Sequence, residues 1–90
     1  MSRKIDTSAQ FIEFFIKKGH YLVGLSENHF LNREYKKSLE LLSQAHTMFE
    51  KGGAKAEAEN VKARFNDIKK KKLFIKTVII EYQLHYLSFY

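Results

Sequence analysis

Residues 54–90 contain neither glycine nor proline, and the whole chain of 90 residues has no proline at all. These are the two residue types that most often end helices, so a tract this long without either favours one unbroken helix. The apolar pattern agrees. Val61, Phe65, Ile68, Lys72, Ile75, Ile79, Tyr82, Tyr86 and Phe89 follow one another at alternating spacings of four and three. That is a heptad-like seam with a single charged member. A helix over about 54–88 would reach about 50 Å at 1.5 Å per residue. It exceeds anything before it, so its far half is expected to overhang the rest of the fold and to need a cover. Residues 73–90 also carry a strand reading, because Tyr82, Leu84 and Tyr86 alternate with Glu81, Gln83 and His85. No other segment alternates to pair with such a strand, and helix is the working expectation.

The four glycines, at 19, 24, 52 and 53, parse the remainder. Asp6, Thr7 and Ser8 are good N-cap types ahead of the run Phe11, Ile12, Phe14, Phe15 and Ile16. Lys17-Lys18-Gly19 resembles a helix end, with cations in the last turn and glycine just beyond. The pattern leaves open whether Gly19 breaks the helix or kinks it. A second stretch covers about 20–31, and Asn32 is the natural boundary and cap for a third over about 33–51. That third stretch places Tyr35, Leu39, Leu42, Ala45 or His46, and Phe49 at helical intervals. Gly52-Gly53 is the strongest break. The expected elements are therefore helices at about 7–18, 20–31, 33–51 and 54–88. Together they make one all-α domain over 1–90, an antiparallel bundle of three or four helices.

A chain of this length buries roughly 64% of its unfolded surface, and eight Phe with five Tyr supply a real but thin core. Zero cysteine excludes disulfides, thiolate metal sites and cysteine nucleophiles. The segment MSRKIDTSAQ lacks the apolar run of a signal peptide. The most apolar stretch, Leu73 to Tyr90, is interrupted by Lys76, Glu81 and His85. A spanning helix wants about 20 mostly apolar residues, so no membrane span is expected, and the expected location is the cytoplasm.

The stretch from Gly19 to Gly53 resembles a single tetratricopeptide repeat, a helix-turn-helix unit of about 34 residues. Leu22 and Leu25 fall at its large apolar positions on the first helix, and Ser26 at a small position where helices approach. Tyr35, Ser38, Leu42 and Ala45 match the aromatic, small, large and small positions of the second helix. His29 stands where an aromatic is usual, and Glu50 replaces the terminal proline. The same spacings also resemble the first two helices of MIT domains, three-helix modules that bind helical peptides, although the second helix here closes early. Both resemblances imply protein–protein recognition through a groove between helices, here the helices at 20–31 and 54–70.

Charge is concentrated late in the chain. Residues 61–90 carry seven basic and two acidic groups, an excess of five within a net charge of +6. Lys55, Lys62, Lys69 and Lys76 recur every seven residues, along one side of the last helix. With Arg64, Lys70 and Lys71 they form a basic band of about 30 Å, suited to nucleic-acid phosphates or an acidic partner. A solvated face opposite the apolar seam explains the same lysines, and no ribonucleoprotein, zinc or KH signature accompanies them.

Enzymatic chemistry finds little foothold. The histidines at 20, 29, 46 and 85 include no i, i+4 pair, and only His29 and His46 are placed to meet across the hairpin. Glu57 and Glu59 are two apart and diverge on a helix. No phosphate-binding glycine loop follows a strand pattern. The expectation is a small non-enzymatic interaction module without cofactor, binding another protein or itself. The seam of Ile75, Ile79, Tyr82, Tyr86 and Phe89 is the candidate interface. A basic nucleic-acid binder, and a fragment of a longer helical repeat protein, are the alternatives.

Overall fold

The computed structural model describes the backbone of residues 7–87 and the side chains of residues 8–80. It contains three helices: α1 (Thr7–Leu31), α2 (Tyr35–Lys51) and α3 (Lys55–Leu87). The fold is all-α, with no strand among the described residues, and α3 runs through the segment that had also carried a strand reading. Phe89 lies outside the described residues, and Tyr82 and Tyr86 lie on α3 beyond the described side chains.

Gly19 ends nothing. Helix α1 passes straight through it, so the boundary expected between 18 and 20 is absent and the four-helix alternative falls away. The reason is packing. A Cβ at Gly19 would stand 2.6 Å from the Phe49 ring, so the missing side chain is the seat into which α2 drops its largest buried side chain. His20 then stacks edge-on against the same ring, with centroids 5.0 Å apart. About two turns further along α1, Ser26 and Ser38 meet at the α1–α2 contact, both fully buried, their hydroxyl oxygens 2.8 Å apart. One hydroxyl donates to the other, so neither oxygen is buried without a hydrogen-bond partner. Small residues thus bring α1 and α2 close at two levels, with α2 antiparallel to α1 and Gly52 resting on Ile16.

Both turns use one device. After α2, Gly53 takes φ +72°, and its N–H donates to Glu50 O while Ala54 N–H donates to Phe49 O. After α1, Arg33 takes φ +64°, with Arg33 N–H to Phe30 O and Glu34 N–H to His29 O. Each pair is a Schellman closure, with the left-handed residue just past the helix. Asn32 therefore closes α1 within the turn and does not cap α2. Glu34 occupies the N-cap position of α2 without a side-chain capping bond, and α2 starts at Tyr35 rather than 33.

Helix α2 is the middle of the stack, packed by α1 on one side and α3 on the other. It buries Ser38, Leu41, Leu42, Ala45 and Phe49, two stripes rather than one. Leu41 was not on the expected seam, because that spacing assumed a single covered face. From α3 the core receives Ala58, Val61 and Ile68, and from α1 Leu22. After Ile68 the seam surfaces: Lys72 is half-buried, Ile75 is 38% exposed and Ile79 52%. The hairpin's end is marked by Phe30 and Tyr35, which face Lys71, Phe74 and Ile75 across a shallow hollow. The last twelve residues of α3, about 18 Å of helix, project past it.

Candidate functional site: a furrow and an overhang

Helices α1 and α3 each pack on α2 and reach each other through long side chains, Arg64 of α3 and Glu27 of α1. Between them lies an open furrow of about 270 Å³, floored by Leu42 and Phe49 and walled by His20, Val23, Val61 and Arg64, with Glu57 and Asn60 on its α3 lip. This is the groove expected between the helices at 20–31 and 54–70. The floor is apolar because α2 turns core residues towards a gap that its two neighbours do not fill.

Arg64 closes one end of the furrow. Its Nε donates to Glu27 Oε2 at 2.7 Å and its Nη2 to Glu27 Oε1 at 2.8 Å, a bidentate bridge from α3 to α1. Nη1 donates to Asp67 Oδ2 at 2.9 Å, and the guanidinium lies over the Phe30 ring at 4.8 Å. The hydrogen bonds from Arg64, helped by its charge and that of Lys71, hold the Glu27 carboxyl below its ordinary pKa against a smaller upward push from burial. Lys71 reaches Asp67 at 3.6 Å and the same Phe30 ring at 5.5 Å. Two members of the expected basic band, Arg64 and Lys71, are thus engaged within the chain. Lys55, Lys62, Lys69, Lys70 and Lys76 are exposed and make no ion pair among the described residues.

The histidines do not converge. His29 Nδ1 lies 2.5 Å from Glu34 Oε1 across the first turn, and His46 lies 3.6 Å from Glu50 one helical turn on, so the two do not meet across the hairpin. Among the described residues no three metal-ligating side chains gather. Glu57 faces the furrow while Glu59 lies in the hollow between α2 and α3, diverging as their spacing implied.

The overhang is the second surface. Of the expected interface, Ile75 and Ile79 are described, and both are exposed. They have more company than the seam implied: Leu73 is 56% exposed, Phe74 69%, and Val78 and Ile80 nearly half. The signal for these was in the sequence, as apolar residues at successive positions rather than at heptad spacing. No helix among the described residues is long and apolar enough to cross a membrane. Comparison with protein-family models, with curated proteins and with solved structures gives no match to this chain.

Proposed function

We propose that the chain is a non-enzymatic protein–protein interaction module that assembles with itself through the overhang of α3. The observation that carries this reading is the run of six exposed apolar side chains between Leu73 and Ile80. At about 150–200 Å² per side chain and half exposure they present on the order of 600 Å², the upper end for a monomer's largest apolar patch and most of the roughly 800 Å² each partner gives to a standard interface. Burying them contributes on the order of 1.5–3 kcal/mol for each fully covered side chain. Light scattering behind a sizing column tests it: a salt-insensitive multiple of 10.6 kDa is expected, and a monomer at all concentrations overturns it.

A second reading rests on Lys55, Lys62, Lys69 and Lys76, which line α3 at seven-residue spacing and make no ion pair among the described residues. Nucleic acid is the partner it implies. It requires binding that weakens steeply with salt and is lost in Lys62→Glu/Lys69→Glu.

A further inference from the structure

Self-association by pairing of two overhangs would leave much of the apolar surface wet. At about 100° of rotation per residue, Leu73, Phe74, Ile75, Val78, Ile79 and Ile80 are distributed around the whole circumference of α3, with only Lys76 and Thr77 between them. A coiled-coil pair covers one stripe, whereas a helix that is apolar all round calls for enclosure. Side-by-side parallel pairing would also set Lys69–Lys72 of one copy against the same tract of the other, at like charge. The furrow between α1 and α3 offers what a second overhang does not, contact from two walls and a floor. It is apolar below, and its lip carries Glu57, an acidic group with no ion pair among the described residues.

We propose that the overhang of α3 docks in the furrow of a second copy of this chain, with Phe74 filling the hollow beside His20 and Phe49. Phe74 is the most exposed apolar side chain described on the overhang, and a hollow of about 270 Å³ has room for one aromatic ring. Lys70 precedes Phe74 by one helical turn and makes no ion pair among the described residues, so it approaches Glu57, which precedes Val61 on the furrow wall by the same interval. Furrow and overhang are two different surfaces, so the contact is heterologous: it closes into a ring or a reciprocal dimer, or continues as a chain.

This inference rests on the self-association reading, and the experiment separates the two. The absence of cysteine makes single-cysteine cross-linking unambiguous. Full-length Asn60→Cys, on the furrow lip, and Thr77→Cys, one turn from Phe74, are tagged to different masses, mixed and treated with a short bis-maleimide. The expected product is the mixed dimer, with each variant alone staying largely unlinked. Thr77→Cys linking to itself as well as to Asn60→Cys overturns the furrow docking while self-association stands. A monomeric wild-type mass overturns both. In parallel, Glu57→Lys and Lys70→Glu should each weaken assembly about five- to tenfold, and the double reversal should restore it. Failure of that rescue, with each single variant assembling as wild type does, also counts against the docking.

Discussion

Gly19 and Gly24 sit five residues apart in the same helix and ask for opposite treatment. Nothing lies within 4 Å of a Cβ at Gly24, whereas one at Gly19 would be 2.6 Å from Phe49. Gly24→Ala should raise stability by about 1 kcal/mol through helix propensity alone. Gly19→Ala should lower it by about 1–3 kcal/mol, because a rigid buried ring must shift to admit the methyl. Urea midpoints of the two variants check the contrast, and equal shifts would show that the ring is not seated on the glycine. Arg33 offers a third test. It holds φ +64°, where a Cβ is costly and glycine is not, so Arg33→Gly should gain about 0.5–1 kcal/mol in the same measurement. None of this was legible in the sequence. Lys17-Lys18-Gly19 has the composition of a helix end, and only the partner helix, 30 residues away, tells a stop from a seat. Arg33 was equally silent, since turn chemistry points to Asn32 beside it.

At the scale of elements, α1 and α3 are joined by Glu27 and Arg64. Folding lowers the pKa of Glu27, so the folded state binds a proton less readily than the unfolded one. The stabilisation is present above the ordinary carboxyl range and is lost as pH falls through the lower folded value. Glu27→Gln should cost about 1 kcal/mol at neutral pH, a modest figure because both groups are partly solvated. It should also flatten the acid limb of a stability-against-pH curve, and an unchanged limb would mean the bridge contributes nothing. The α1–α2 contact has its own test. Ser38→Ala strands the buried Ser26 hydroxyl and should cost about 1–3 kcal/mol, whereas Ser26→Ala/Ser38→Ala should recover part of it. The helical hairpin and the long third helix were legible because each is written in local spacing, and the small residues at 26 and 38 were marked only by the resemblance to a tetratricopeptide repeat. The bridge was not. Arg64 read as one more cation in a basic band, and nothing local marks Glu27, 37 residues earlier, as its partner.

For the whole molecule, the readable part was that α3 outruns its support. Helix lengths alone require it, and the exposure of Ile75 and Ile79 agrees. What spacing concealed was how much of the circumference is apolar, since the eye follows a seam and passes over Leu73, Phe74, Val78 and Ile80. Ile79→Glu should therefore reduce the assembled mass to that of a monomer with no loss of helix signal, because the side chain leaves the core untouched. A drop in helicity along with the mass would mean that the segment stabilises the fold rather than the assembly. The order of the stack has a consequence for how the chain comes to be folded. Every well-packed pair of helices, α1 with α2 and α2 with α3, is adjacent along the chain. Apart from the bridge between Arg64 and Glu27, few distant segments must find one another, and helical chains rich in local contacts fold in microseconds to milliseconds. The exposed apolar end of α3 is not a passing feature of a slow search that a chaperone shortens. It belongs to the finished monomer, so losses on handling should scale with protein concentration and not with the time spent refolding.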